Sequence, residues 1–281
     1  MLLCANPLGC VVECKNSIYC KKSTSMNKFF YGLILILGFI SCSDGDDANE
    51  IARLTASNRL STGDSARDFL TQDHYKELVM EIVYVEEFPP SDEALHSLVE
   101  FINQYCHKSG GIEITKRAIE SPSKEFYTIS QVDSLEKELR GHYNSDGRLA
   151  MFVFYLDGRY KSMEESSKSS GFDVVLGVSY RNTSFVIFKQ SINSMTTSKS
   201  FALESTVLRH EFSHLLGLVN VGTPMQQNHI DPENGHHCNV EDCLMNYKIE
   251  TGWEFSGFNT DQQLPQLDNY CEADLRANGG K

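Results

Sequence analysis

The sequence is short of positive charge, and what it has is not clustered. Lys and Arg number 25 against 38 Asp and Glu, giving a formal net charge of −13 over 281 residues. Without a block of basic residues, nucleic acid is excluded as a partner and anionic membrane surfaces are poor ones. Long apolar runs are also missing. The unbroken stretch from Phe29 to Ile40 has 12 residues, well below the roughly 20 that a spanning helix requires. No internal repeat is present. Cysteine is sparse where a fold would use it. Of nine residues, Cys4, Cys10, Cys14 and Cys20 lie in the first 25 positions and Cys42 follows, leaving Cys106, Cys238, Cys243 and Cys271 for the body. A composition of 41% hydrophobic and 22% charged residues suits one globular domain of roughly 200 residues behind an unstructured lead-in.

The lead-in reads as an address. From Met26, Lys28 supplies a positive start, Phe29 to Ile40 an apolar core, and Ser41-Cys42 a small residue before a cysteine. This matches a secretory signal and resembles a bacterial lipoprotein cleavage site, which implies lipidation of Cys42. Phe39 stands where Leu is usual in that pattern. The acidic stretch Ser43 to Asp47 is similar to the surface-export tag of Bacteroidetes lipoproteins. The expected organisation is therefore an upstream extension over residues 1–25, a signal peptide over 26–41, a tether over 42–73 and a folded domain over 74–281. The product is expected to be exported and held at the envelope by its lipid alone, at the outer membrane or cell surface.

Within the domain, Leu78 to Glu86 is rich in β-branched and aromatic residues and predicts a strand. Pro89-Pro90 ends it, and Ser91-Asp92-Glu93 opens a helix with Leu95, Leu98, Phe101 and Ile102 on one face. Ile112 to Ile119 predicts a second strand. Ser130 with Asp133 reads as a capping box for a second helix. Leu149 to Tyr155 is nearly all apolar and so expected at the centre of a sheet. Val174 to Tyr180 and Phe185 to Phe188 are two further strands joined at Arg181 to Thr183. The order gives a mixed α/β (α+β) fold.

The chemistry concentrates in residues 201–220, FALESTVLRHEFSHLLGLVN. Helical geometry places His210 and His214 on one face, about 5–6 Å apart at Cβ, so that both imidazoles can reach one ion. Glu211 beside them can accept a proton from a water without binding the metal. Val207 and Leu218 extend the histidine face, and Leu208, Phe212, Leu215 and Val219 cover another, as expected of a helix inside a domain.

With Gly217 the segment reads HExxHxxG, which resembles the metzincin zinc peptidases. In that family a third His is expected at position 220, where this sequence has Asn220. Residues 237–245, HCNVEDCLM, are similar to the archaemetzincin signature, in which the third ligand precedes Cys-x4-Cys-x-Met. The resemblance implies a zinc ion held by His210, His214 and His237, with residues 221–236 inserted in the ligand loop. His229, His236 and Asp231 stand as alternative third ligands. It further implies Gly217 as the residue that ends the helix, Met245 as the Met-turn residue, and Tyr247 as a contributor to oxyanion stabilisation. The family's later Cys-x-x-Cys is absent, since only Cys271 follows. Disulfides, with Cys238–Cys243 clamping the ligand loop, are accordingly expected in place of a second metal.

The implied activity is zinc-dependent hydrolysis of peptide bonds in a protein or peptide substrate, with Glu211 as general base. Phe185 to Phe188 is expected as the sheet edge along which the substrate pairs, and the loop Lys248 to Gln266 as the shaper of specificity. The rival expectation is a surface-anchored binding lipoprotein whose zinc site is structural or degenerate, suggested by Asn220. Oligomeric state has no signature in the sequence.

Overall fold

The computed structural model describes residues 53, 55–161, 174–195, 200–251 and 264–281. The signal and lipidation site, including Cys42, lie outside the described residues. So does most of the loop after Lys248.

The fold is mixed α/β. Its sheet has the order β2 (Gly111–Ile119), β1 (Glu77–Val85), β4 (Arg148–Leu156), β7 (Ser184–Phe188), β6 (Gly177–Arg181). The first four strands are parallel and β6 alone is antiparallel. A separate two-residue pairing joins β3 (Phe126–Tyr127) to β5 (Arg159–Tyr160).

β4 is central, and its continuous apolar character follows from burial on both faces. Met151, Val153 and Tyr155 pack into one core with α1 (Ala66–Leu70), α2 (Asp92–Tyr105) and α5 (Ser200–Leu215). Phe152, Phe154 and Leu156 pack into the other beneath α3 (Ile129–Leu139). The short α4 (Lys189–Met195), α6 (Tyr247–Thr251) and α7 (Asn269–Ala277) complete the elements among the described residues. Each buried Leu or Phe contributes on the order of 2 kcal/mol to holding these layers together.

Three expectations are corrected. The capping box of α3 is Thr128 with Gln131, not Ser130 with Asp133. Thr128 Oγ1 accepts from Gln131 N (3.3 Å), and Gln131 Oε1 accepts from Thr128 N (3.0 Å). Asp133 is instead drawn to Arg59, Arg181 and Lys137. The stretch expected as tether through residue 73 is packed well before its end. Asn58 is buried, with its amide donating to Asn144 Oδ1, the Ala150 carbonyl and Thr183 Oγ1, and Phe69 and Leu70 belong to the core. Finally, β7 lies inside the sheet. The outermost strand beside it is β6, because the hairpin through Arg181 to Thr183 folds the earlier strand outward.

Candidate metal centre

α5 carries His210 and His214 one turn apart, packed against α2 and β6. His210 is fully buried, and its Nδ1 donates to the carbonyl of Leu244 at 2.7 Å. A proton on Nδ1 leaves the Nε2 lone pair to face the cavity. His214 Nε2 stands 3.2 Å from His210 Nε2. Two imidazole nitrogens sharing one zinc at about 2.0–2.1 Å in tetrahedral geometry stand roughly 3.3 Å apart, so this spacing fits a common ion. Burial, reinforced by the neighbouring imidazoles of His210, His237 and His236, pushes the His214 pKa well below the ordinary range. The ring is therefore neutral, the form that ligates.

The third imidazole is His237. Its ring lies 5.3 Å from that of His210 and 5.4 Å from that of His214, centroid to centroid. One ligand atom from each of the three histidines falls within 4.8 Å of the others. His237 Nδ1 donates to the Asn234 carbonyl at 2.8 Å, which orients its Nε2 as Leu244 orients that of His210. Three imidazoles, two of them with backbone carbonyls behind, form a donor set suited to zinc.

The chain reaches this arrangement in two steps. Gly217, at φ +74°, lets the helix end and turn back. A Cβ there would meet Thr223 N at 2.6 Å and Ala66 Cβ at 2.9 Å. Asn220 follows in the left-handed region at φ +65° and is exposed, away from the three histidines. Residues 229–239 then form a small hairpin. Asp231 N donates to His237 O (2.7 Å), Asn239 N donates to His229 O (2.9 Å), and Ile230 bridges to Cys238.

Glu211 is buried, and its carboxylate accepts from Ser179 Oγ at 2.8 Å. It opens with His214 and His237 onto a cleft of about 490 Å³. Val178 and Ser179 of β6 line one side, Asn234, Gly235 and His236 another, and Ser61 and Thr62 a third.

Beneath the hairpin lies a second group of donors. His229, Cys238, Asp268 and Cys271 each offer an atom within 4.8 Å of the rest. His229 Nδ1 is 3.3 Å from Cys238 Sγ and 3.9 Å from Cys271 Sγ, and Cys243 Sγ is 3.7 Å from Cys271 Sγ. Around a tetrahedral ion, sulfur–sulfur edges of about 3.8 Å and nitrogen–sulfur edges of about 3.5 Å follow from the usual bond lengths. Asp268 Oδ1 caps α7 through Cys271 N (2.8 Å) while its Oδ2 accepts from Cys238 Sγ at 3.3 Å, and Cys243 stands beside Cys271 as a further thiol. His229 Nε2 pairs with Asp274 Oδ2 at 2.8 Å, the carboxylate–imidazole support common behind metal ligands.

Hydrogen bonds from Cys238 and Cys271 hold the Cys243 thiol well below the ordinary thiol range, while contacts with Cys238 and Cys243, with burial, raise Cys271. The expected disulfides are not formed. All four body cysteines are free thiols, and the Cys243–Cys271 separation is far beyond a bond of about 2.05 Å. Cys106 is buried alone at the end of α2, its thiol pushed up to about 12 by burial.

No family model matches the chain, and no curated protein matches it. Solved structures do. Archaemetzincin from Methanopyrus kandleri is 14% identical, covering 72% of this chain and 96% of its own, with a TM-score of 0.46. A zinc-dependent peptidase from Methanocorpusculum labreanum is 11% identical over 70% of this chain and 99% of its own, with a TM-score of 0.43. Metalloproteinase-II from Bacteroides fragilis is 13% identical over 83% of this chain and 68% of its own, with a TM-score of 0.37. At such identities and TM-scores, function has to come from the side chains themselves.

Of the residues expected at the site, the structure brings together His210, Glu211, His214 and His237. It sends His229 into the cysteine cluster, leaves His236 exposed on the cleft wall, and turns Asp231 onto Asn234 and Glu233 N. Met245 is fully buried beside Leu244, whose carbonyl holds His210. Tyr247 opens α6, half-buried, and is not part of the cleft lining among the described residues. Ser179, Ser61 and Thr62 were not legible in the sequence. They come from segments 32 and about 150 residues away from Glu211 along the chain, with no local pattern to mark them.

Proposed function

We propose that this chain is a zinc-dependent endopeptidase whose ion is held by His210, His214 and His237. The observation that carries the reading is the convergence of three imidazoles beside a buried carboxylate at the floor of an open cleft. A purely structural site would not need that carboxylate. When bound, zinc supplies an electrophile for the peptide carbonyl and lowers the pKa of a nearby water toward about 7. Glu211 takes the proton of the attacking water and returns it to the leaving amide nitrogen. The cleft runs along β6, the outermost strand of the sheet on that side, and admits an extended chain there. Tyr247 as an oxyanion contact belongs to the same reading.

A second ion at Cys238, Cys243, Cys271 and His229 has a structural role. Three thiols and a carboxylate-backed imidazole make a closed set with no position left for substrate. The signal pattern ending at Cys42 supports export and lipid anchoring, so substrates are proteins or peptides met outside the cell or at the envelope.

The test is cleavage of a generic denatured protein by the purified chain, with and without chelator. Fragments that vanish with chelator and return on adding zinc support the reading. A fully zinc-loaded protein that cuts nothing overturns it in favour of a binding lipoprotein.

A further inference from the structure

Glu211 is held from across the cleft by two residues of the edge strand, and nothing in the motif that contains Glu211 indicates this. Ser179 Oγ lies 2.8 Å from Glu211 Oε2 and 2.7 Å from the Glu211 backbone carbonyl. Two residues earlier, on the same face of β6, Gly177 presents no side chain. A Cβ there would stand 2.7 Å from Glu211 Cγ and 2.8 Å from Oε1. Real Cβ atoms do not make contacts that short, so any larger residue at 177 would force the carboxylate to move. Its φ is not in the left-handed region, so the requirement for glycine here is one of space, not of backbone conformation.

The strand that provides this cradle is itself anchored. Thr62 Oγ1 donates to the Ser179 carbonyl at 3.1 Å, and Leu60 exchanges hydrogen bonds with Asn182 through Leu60 N to Oδ1 and Asn182 N to Leu60 O. Residues 60–62 therefore fix the end of β6 that bears Ser179.

We infer that Ser179 is a positioning residue for Glu211, with Gly177 as the space that lets the carboxylate lie against β6. A glutamate side chain has three rotatable bonds. The Ser179 hydroxyl lies within hydrogen-bond distance of both the Glu211 carbonyl and its carboxylate, and its one proton, given to either, favours the conformer that keeps the carboxylate against β6. The bond also ties the base to the strand along which substrate is proposed to lie, so substrate and base are registered by one element. This inference rests on the proposed peptidase reading for its catalytic consequence, but not for its geometry.

The experiment compares the zinc-loaded parent with Ser179→Ala, Ser179→Thr and Gly177→Ala, by peptide-cleavage kinetics, metal content and crystal structure. Ser179→Ala is expected to lower kcat by about tenfold or more with KM within about twofold, at unchanged zinc content and melting temperature. Ser179→Thr, which keeps the hydroxyl, is expected to recover most of that loss. Gly177→Ala is expected to lower kcat by a similar factor by displacing the carboxylate. In the crystals, Glu211 should occupy one position in the parent and a shifted or divided one in Ser179→Ala and Gly177→Ala.

A Ser179→Ala kcat within twofold of the parent, or a Glu211 carboxylate unmoved in both variants, overturns the inference. If the parent itself cleaves nothing, the peptidase reading fails. The Glu211 positions in the crystals still decide whether Ser179 and Gly177 place it.

Discussion

The backbone N–H of Cys238 donates to the carbonyl of Met245 at 2.7 Å. That bond fixes the chain at Cys238, where two successive residues have different allegiances. His237 faces the helix histidines, and Cys238 faces the thiol cluster with His229. The third imidazole of the cleft is thus braced by the packing of the second donor group. Damage to one is expected to be felt at the other.

Glu211→Gln is the direct probe of the base. The amide keeps the size and can still accept from Ser179 Oγ, so the fold and the metal content should persist. Hydrolysis should fall by at least about a hundredfold. Activity within a few-fold of the parent would remove Glu211 from the chemistry.

His237→Ala and His229→Ala separate the two donor groups. Each is expected to reduce bound metal from two ions per chain to one. His237→Ala should lose hydrolysis with a smaller drop in melting temperature than His229→Ala. His229→Ala should lose the ion of the thiol cluster and lower the melting temperature. Metal analysis and calorimetry on the two proteins read this out. Equal loss of hydrolysis at equal stability would mean that the histidines share one site.

Cys243→Ser tests the cluster from its sulfur side. Serine is a poor zinc ligand beside thiolates, and the ion that ties residues 229–243 to α7 should be lost. The melting temperature is expected to drop by about 5 °C or more. A protein that melts as before with full metal content would leave the thiols as ordinary core residues.

Asp133 sets an acid limit on stability that does not depend on metal. Burial raises its pKa, but hydrogen bonds from Arg181 and Lys137, with the charges of Arg59 and Arg181, outweigh that and hold it at about 2. A carboxylate depressed in the folded state stabilises above its unfolded value, 3.8, and ceases to do so as pH falls through about 2. Asp133→Asn should therefore cost on the order of 1–2 kcal/mol at pH 7. The gap to the parent should close between pH 4 and about 2 in urea titrations. A gap that stays constant over that range would contradict the linkage.

Much of the fold was legible because its signals are local. The β-branched run in β1 and the apolar run in β4 announce strands, and the spacing of His210 and His214 announces a shared face. What was not legible depends on partners distant in sequence. Asp133 looks like a cap residue until Arg59 and Arg181 claim it. The stretch around Asn58 looks like tether because its polar residues satisfy buried groups, such as the Ala150 carbonyl, that no local pattern reveals. Phe185 to Phe188 looks like an edge because hairpin order, not composition, decides which strand lies outside. The thiols read as disulfides because the later Cys-x-x-Cys is absent, and nothing local marks His229 as a partner for them. In the structure it completes a different group.

The claim on which the rest depends is a zinc ion shared by three histidines. Anomalous diffraction at the zinc edge, on crystals grown without added metal, tests it most directly. The account predicts a peak within about 2.1 Å of Nε2 of His210, His214 and His237, and a second peak among Cys238, Cys243, Cys271 and His229. Zinc in the thiol cluster alone, with none between the three histidines, would contradict it.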